Sequence, residues 1–426
     1  MKNLTLLLIA SLIGLFACQD KNFEEYQVNA PVYMTYEDLR KSVKITEEVP
    51  LEVPGKIYFK DNYIFINEIM KGVHVYDNSN PSSPVYKTFI EIPGNVDIAI
   101  KGSLLYADSY VDLVAIDVSS LDNIVEKHRL KDVFRYNLPP TKNDYRIGDI
   151  DKNKGVVVNW NQIEVREEVV DDIYNPYPFF EGFDYAMLNS SKAADVGGSP
   201  GAGIAGSMAR FMLNKNYLYV IDQQWEIDVF DIADPASPVV KNSFYSNGVA
   251  ETLFTKDDVL FIGGQNGMQI FDLSNGAEPV FISSYSHLTA CDPVVVNDDY
   301  AFVTLHSNDV CGRVTNQLDV IDIRNLQTPI LKNTVALTNP HGLGIDGDYL
   351  FVCDGDDGLR VFDATQPEIM SLQNQLKRFE NINAIDVIPL GNTLLMIGEG
   401  GFYQYDYTDI NNIQLLSAIE VQTSSN

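Results

Sequence analysis

The sequence predicts an all-β protein, a β-propeller built from four-stranded blades. Three observations predict it: a short motif occurs seven times, further apolar runs accompany each copy, and the copies are almost evenly spaced. A four-strand unit repeated every roughly 40 to 45 residues is the signature of a propeller. Seven blades are expected and eight are left open, because an insertion at about 145–205 interrupts the spacing.

The motif is an apolar run that ends in Asp and is followed by a polar turn, usually with Pro. The Asp side chain can accept hydrogen bonds from N–H groups of the turn, and Pro stiffens the turn. The seven copies are GVHVYDNSNPSSPV (72–85), LVAIDVSSLDNIV (113–125), IDVFDIADPASPV (227–239), MQIFDLSNGAEPV (268–280), LDVIDIRNLQTPI (318–330), LRVFDATQPEIM (359–370) and FYQYDYTDINNI (402–413).

Each motif copy is the third strand of a predicted meander, with two apolar runs before it and one after it. The second runs begin at residues 63, 104, 217, 259, 300, 349 and 394. The runs are apolar at nearly every residue, which is typical of strands covered on both faces, as stacked blades are. A β-sandwich would not need one fixed period over the whole chain.

The insertion lies in the long step between the second runs at 104 and 217. Its segment IGDIDKNKGVVVNWNQIEVREEV is either a three-strand remnant of an eighth blade or a hairpin arm. It lacks the Asp–turn–Pro ending, which favours an arm and a seven-bladed ring. The aromatic run 172–185 follows, and Tyr177, Phe179 and Phe180 are candidate binding residues, because exposed apolar patches mark contacts. The alternative is that this run packs on the ring as a structural lid.

The N-terminus predicts export. Lys2 precedes an apolar run from Leu4 to Phe16, which is too short to span a membrane and is typical of a signal peptide. The ending Leu15-Phe16-Ala17-Cys18 resembles the bacterial lipobox. That resemblance implies a signal peptide at 1–17 and lipid on Cys18. We expect a tether at 18–50, followed by the propeller at 51–421 and a tail at 422–426. An ordinary secretory signal is the alternative.

The repeats also resemble a family. The segments VIDIRNLQTP, VFDIADPASP and VYDNSNPSSP look like the LVIVD repeats of bacterial surface proteins, over roughly 56–421. The acidic stretch 19–25 looks like the sorting signal of surface lipoproteins from Bacteroidetes-type bacteria. The resemblance implies a propeller on a lipoprotein that is anchored in the outer membrane, at the cell surface or on the periplasmic face. It implies no chemistry.

The net charge of the protein restricts the classes of molecule that it can bind. The formal net charge is −29, which argues against nucleic acid because the phosphates would be repelled. The five His form no closely spaced pair, so no metal site is predicted from them. No cofactor is predicted, and the many carboxylates leave calcium open.

Aligning the repeats places one polar residue of each unit where its first strand begins. In a propeller these positions ring one mouth of the central channel, and convergent polar groups in a concave site often bind ligands. The alternative is that they are polar because strand starts are solvated. The ring consists of Lys56, Asp97, Arg210, Glu251, Asp292, His341 and Asp386.

Two cysteines fall at the same end of the ring. Cys291 starts the predicted first strand of its unit, and Cys311 lies in the turn between the second and third strands. Since export allows disulfides, we expect a Cys291–Cys311 bridge with Cys353 buried in a strand. The alternative is three buried thiols.

These observations favour a lipid-anchored envelope propeller that binds a protein or glycan partner through one face of the ring. The rival is an envelope hydrolase or lyase with a carboxylate or His341 site at the channel mouth. No recognised catalytic triad, metal cage or cofactor fingerprint is present in the sequence.

Overall fold

Strands make up almost all of the regular structure in the part of the chain that the computed structural model describes. That part is residues 23–141, 143–168, 204–286, 293–306, 315–380 and 382–422. Its helical pieces are short: an α-helix, α1 (Tyr36–Leu39), and two 3-10 turns, Lys152–Lys154 and Pro367–Ile369. None of the helices in these ranges is long and apolar enough to cross a membrane.

Seven antiparallel meanders of four strands each follow the seven sequence repeats within the described ranges, which confirms the predicted all-β propeller with seven blades. In chain order the strands are β1 (Phe23–Met34), β2 (Lys44–Thr46), β3 (Pro54–Lys60), β4 (Tyr63–Glu68), β5 (Gly72–Asp77), β6 (Val85–Glu91), β7 (Ile98–Lys101), β8 (Leu104–Ser109), β9 (Asp112–Asp117), β10 (Val125–Leu130), β11 (Arg146–Ile147), β12 (Val156–Glu168), β13 (Ile204–Ala205), β14 (Phe211–Asn214), β15 (Tyr217–Gln223), β16 (Glu226–Asp231), β17 (Val239–Tyr245), β18 (Ala250–Lys256), β19 (Val259–Gly264), β20 (Gly267–Asp272), β21 (Val280–Ser286), β22 (Val294–Val296), β23 (Tyr300–Leu305), β24 (Gln317–Asp322), β25 (Ile330–Ala336), β26 (Leu343–Asp346), β27 (Tyr349–Cys353), β28 (Leu359–Asp363), β29 (Lys377–Phe379), β30 (Ala384–Leu390), β31 (Thr393–Gly398), β32 (Gly401–Asp406) and β33 (Gln414–Glu420). Blades 1 to 7 are β3–β6, β7–β10, β14–β17, β18–β21, β22–β25, β26–β29 and β30–β33.

The blades close into a ring with their first strands innermost. The first strand of each blade from β3 to β26 contacts the first strand of the next one. Blade 7 then packs on blade 1, where Ile388 and Leu395 share a buried cluster with Ile57. Both faces of the inner strands are therefore covered, which explains why their sequences are apolar at nearly every position.

The motif Asp closes the turn between the third and fourth strand in every blade. One carboxylate oxygen accepts the backbone N–H two residues further along the chain, as the sequence motif predicts. The seven residues are Asp77, Asp117, Asp231, Asp272, Asp322, Asp363 and Asp406. These turns mark one end of the ring, called here the turn end, and the first strands begin at the opposite end, the entry end.

A separate three-stranded sheet, the arm, lies at the entry end. Its order is β11-β1-β12, and β1 pairs antiparallel with β12 along its whole length. Residues 18–50 are predicted to be a tether, but from Phe23 onward the structure differs. Residues of this segment form β1 and α1, because the insertion supplies the partner strand. Leu39 of α1 packs with Val156 of the arm and with Tyr110 and Val111 of blade 2.

The chain also passes through the middle of the ring. β13 pairs antiparallel with the inner edge of β3, where Ala205 faces Tyr58. Further along, the hydroxyl of Ser207 accepts the backbone N–H of Leu343 in blade 6, at 2.8 Å. Blades 1 and 6 are not neighbours, so residues 204–208 occupy the centre of the ring; we call them the central segment.

Candidate functional site

The structure brings four of the predicted mouth residues together, but it buries them. Lys56, Asp97 and Asp386 are only 3%, 2% and 1% exposed, and Arg210 is buried as well. The Nζ of Lys56 lies 3.8 Å from Asp97 Oδ2 and donates a hydrogen bond to the carbonyl of Met208. The central segment therefore fills the mouth of the channel, where the sequence predicts a ring of polar binding residues.

Asp97 ties two blades together through backbone groups. Its Oδ2 accepts the N–H of Arg210 at 2.6 Å and that of Phe211 at 3.1 Å, both where blade 3 begins. Its Oδ1 accepts the N–H of Ile98 at 2.8 Å. A carboxylate held by three N–H groups is well satisfied in a buried site, so Asp97 here acts as a connector between blades.

Burial sets the protonation of this cluster. It lowers the pKa of Lys56 to about 8, against the opposing effect of the nearby Asp97 carboxylate. It raises the pKa of Asp108 to about 6, although Asp108 accepts the N–H groups of Val96 and Asp97. An acid or base in catalysis must reach its substrate, and these groups face the protein's own backbone.

The remaining described mouth residues, Glu251 and His341, are half-buried. The ring of His341 lies 4.6 Å from that of His306, centroid to centroid, and burial lowers the pKa of His306. The backbone N–H of His341 donates to the carbonyl of Cys353 at 2.8 Å. No group of three or more His, Cys, Asp or Glu in the described ranges is placed to hold a metal ion.

Several predicted residues lie outside the described residues. They are Cys18, the aromatic candidates Tyr177, Phe179 and Phe180, the mouth residue Asp292, and the pair Cys291 and Cys311. The disulfide stays a prediction, which non-reducing mass mapping of the exported protein tests. Cys353 is a buried free thiol.

A cleft of about 510 Å³ lies between the arm and the entry end of the ring. Its volume is in the range of roughly 300 to 1,000 Å³ that is typical of small-molecule sites. The walls come from the arm, the loop after blade 2, and second-to-third-strand turns of the first two blades. The lining residues are Asn29, Val53, Ile69, Met70, Lys71, Tyr110, Pro139, Pro140, Thr141, Val158, Asn159, Trp160 and Gln162.

The cleft combines an apolar floor with an amide rim. Tyr110 and Ile69 are buried in the floor, whereas Asn159 and Gln162 are exposed on the arm. Lys71 is the one charged residue among the described lining residues, and its ammonium pairs with Glu52 and lies 3.6 Å from Glu68 Oε1. The Nε1–H of Trp160 donates to the carbonyl of Pro139 at 2.9 Å. This arrangement can bind a ligand but shows no acid–base pair for catalysis.

The sequence does not predict this cleft, because its lining comes from six separated stretches of chain. The segment around Trp160 is predicted as a hairpin arm, but its partner strand β1 falls within the predicted tether. The local signal in the sequence is the run of amide residues around the tryptophan in VVVNWNQ, which departs from the nearly continuous apolar pattern of the blade strands.

Comparisons with solved structures find distant similarity over most of the chain. The computationally designed Ika8 protein, in its crystal structure, is 10% identical with a TM-score of 0.50, over 90% of this chain and 93% of that one. BamB from Moraxella catarrhalis is 11% identical with a TM-score of 0.46, over 89% of this chain and 92% of that one. Hsv2p from Kluyveromyces lactis is 10% identical with a TM-score of 0.47, over 87% and 100%. Among curated proteins, no relative matches this chain.

The repeats themselves match a known family description, LVIVD repeat. The matched stretches are residues 55–90, 205–245, 247–287, 289–336 and 341–375. They coincide with blades 1, 3, 4, 5 and 6. The chain therefore contains five LVIVD repeats, each of which builds one blade of its propeller.

Proposed function

We propose that this protein is a binding module that captures its partner in the arm cleft at the entry end of the ring. The observation that carries the proposal is the cleft itself. It has the volume of a ligand site, an apolar floor and a polar rim, and one of its walls is the arm, which belongs to no blade. The centre of the ring is filled by the central segment, so the cleft is the better supported site.

The arm supports a dedicated role for the cleft. β1 and β12 pair over 12 residues or more, yet this sheet contributes to no blade. It is fixed to the ring by Arg40, whose guanidinium bonds to Asp112 of blade 2 at 3.0 Å. A rigid element that forms one wall of a concave site pre-organises that site for binding. Binding residues commonly lie on loops held by such a rigid scaffold.

The proposed setting is the cell envelope, with a protein or glycan as the partner. The lipobox-like ending at Cys18 supports a lipid anchor, and more than one acyl chain would give stable membrane attachment. Replacing Cys18 with Ala is expected to move the exported protein from the membrane fraction to the soluble fraction. A variant that remains with the membranes after a high-salt wash would contradict the anchor but not the binding role.

The binding role is tested by photo-cross-linking in cells. The photoreactive residue benzoylphenylalanine replaces Gln162 on the rim of the cleft, or Gln327 in a turn at the opposite end. Both positions are exposed, so neither replacement should disturb the fold. Adducts from position 162 and not from position 327 support the proposal. Adducts from 327 alone, or equally from both, would place the binding surface elsewhere.

A further inference from the structure

We propose that the arm cleft binds an uncharged carbohydrate, with Trp160 as the stacking surface and Gln162 as a hydrogen-bonding group. This inference rests on the proposed binding role of the cleft and adds the chemical class of the ligand. Three properties of the lining residues support it. They carry little net charge, the Trp160 ring stands beside exposed amide side chains, and two successive prolines on one wall lack backbone N–H groups.

The charge of the cleft favours a neutral ligand. Within the described part of the chain, Lys71 is the single charged residue that lines the cleft, and two carboxylates, Glu52 and Glu68, pair with it. An anionic ligand would find no unpaired cation there, and it would approach a protein with a formal net charge of −29. A cationic ligand would find no carboxylate among the lining residues to replace its hydration.

Trp160 is prepared for contact through its ring rather than through its N–H group. The indole N–H is occupied by the carbonyl of Pro139, which also fixes the ring against the loop after blade 2. The side chain remains half-buried while it lines the cleft. Because the indole N–H already has a hydrogen-bond partner, the face of the ring offers an apolar surface. The C–H groups on one face of a sugar ring can pack against such a surface.

The rim supplies the matching polar groups. Asn159 Oδ1 accepts the backbone N–H of Trp160 at 2.8 Å, which leaves the amide nitrogen of Asn159 as a donor. The side chain of Gln162 is exposed and hydrogen-bonds to no other described residue. A carboxamide offers a donor and an acceptor side by side, as does a pair of neighbouring sugar hydroxyls. Neutral amides therefore suit a ligand rich in hydroxyl groups.

The wall formed by the loop after blade 2 argues against an extended peptide. Pro139 and Pro140 line it, and proline has no backbone N–H to donate. Main-chain recognition of a peptide strand needs alternating N–H and C=O groups along an edge. A wall with proline at two successive positions lacks these donors, whereas sugar recognition through side chains does not need them. We therefore place carbohydrate ahead of peptide.

The test uses Trp160 as a reporter. The chain has two tryptophans, and Trp225 lies in the second-to-third-strand turn of blade 3, outside the cleft lining. A Trp225→Phe variant therefore reports on the cleft alone by its fluorescence. The protein is first screened on an array of neutral glycans, acidic glycans and a Gly-Pro repeat peptide, and hits are titrated. A neutral glycan is expected to change the fluorescence of Trp225→Phe and to leave that of Trp160→Phe unchanged.

Matched variants connect the signal to the rim. Gln162→Ala should weaken glycan binding about five-fold, which corresponds to the loss of one hydrogen bond of about 1 kcal/mol. Gln327→Ala, an exposed glutamine at the turn end, should leave it unchanged. Both side chains are exposed, so both variants should fold.

The outcomes separate this inference from the binding role. If the peptide or an acidic glycan changes the Trp160 signal and no neutral glycan does, the assignment of an uncharged carbohydrate is wrong and the cleft remains a binding site. If no probe changes the Trp160 signal and cross-linking from position 162 also gives no adduct, both proposals are overturned. Neutral glycan binding that Gln162→Ala leaves at full strength would likewise contradict the inference.

Discussion

The carboxamides of Asn78 and Gln404 exchange two hydrogen bonds of 2.8 Å across the seam where blade 7 meets blade 1. Both residues are buried, at 6% and 0% exposure. The Gln404 amide nitrogen also reaches the carbonyl of Pro81 at 3.2 Å, in the turn that follows the motif Asp of blade 1. Blade 1 comes entirely from the first half of the chain and blade 7 from its end, so this pair helps to close the ring.

Gln404→Ala is expected to lower the free energy of unfolding by about 1 to 3 kcal/mol, because the buried Asn78 amide loses its partner. Equilibrium unfolding in urea measures the change, and Gln327→Ala, an exposed glutamine, is the control. A double variant with apolar residues at 78 and 404 should recover part of the loss. A loss no greater than that of the control would show that the pair does not stabilise the seam.

The motif Asp residues should make the protein sensitive to acid. Hydrogen bonds from Ser79 lower the pKa of Asp77 to about 2, and those from Ser119 do the same for Asp117. A carboxylate whose pKa is depressed on folding stabilises the protein above its unfolded pKa, about 4, and the stabilisation is lost as the pH falls. The thermal midpoint should therefore fall between about pH 4 and pH 2.

Replacing Asp77 and Asp117 with Asn tests this dependence. Asn keeps an oxygen acceptor for the turn but does not titrate, so the double variant should lose less stability over the same pH range. The exposed Asp122 supplies the control substitution, Asp122→Asn. If the double variant and the protein itself show the same acid dependence, these turns do not cause it.

The buried Lys56 should make the free energy of unfolding depend on pH in the alkaline range. Its pKa falls to about 8 on folding, from an ordinary value of 10.5, because it is buried. Above pH 8 the unfolded chain holds a proton that the folded chain has released, so stability from this group rises with pH. Relative to Lys56→Met, the protein should gain about 1 kcal/mol between pH 8 and pH 9.

Urea unfolding at pH 7, 8 and 9 measures that gain, and Lys60→Met on the same strand is the control. A difference between the protein and Lys56→Met that stays constant with pH would mean that Lys56 remains protonated in the folded state. The central segment would then not exclude water from the mouth.

Gly155 lets the arm form. Its φ is +121°, and a Cβ there would lie 1.9 Å from the carbonyl oxygen of Met34, where β12 begins beside β1. Gly155→Ala should therefore detach the start of β12 and open the cleft, without unfolding the blades. Gly391→Ala is the matched control, because Gly391 also has a positive φ of 73° but open space around it.

Limited proteolysis and Trp160 fluorescence measure the effect. We expect faster cleavage within the arm and a red-shifted Trp160 emission for Gly155→Ala, with circular dichroism of the blades unchanged. Gly391→Ala should lose only the roughly 1 kcal/mol that a left-handed backbone costs a side chain. Equal effects of the two variants would show that close contact at Gly155 does not hold the arm.

The repeat allowed much of the ring to be predicted from sequence. Six of the seven predicted second-strand starts coincide with the observed strand starts, and the seventh, 394, is one residue beyond Thr393. The strand starts could be predicted accurately because the aligned copies of an internal repeat show the same start in each unit. The role of the motif Asp follows from the hydrogen bonds that such a residue makes in a turn.

The arm and the central segment could not be predicted in the same way. β1 pairs with β12 over more than a hundred residues of chain, and such pairing leaves no local signal. β13 has two residues, which is too short for any periodicity. The burial of Lys56 and Asp97 depends on that segment, so their polar side chains suggested an open mouth.

The measurement that most directly tests the central claim is hydroxyl-radical footprinting of the unsubstituted protein, alone and mixed with its purified partner. The partner is the one identified beforehand by cross-linking from position 162. The claim is that binding uses the arm cleft and not the ring centre or the turn end. The account predicts lower oxidation of Trp160 and Met70, and no change at Phe281, which is exposed at the turn end. Protection of Phe281 with Trp160 unprotected would contradict it.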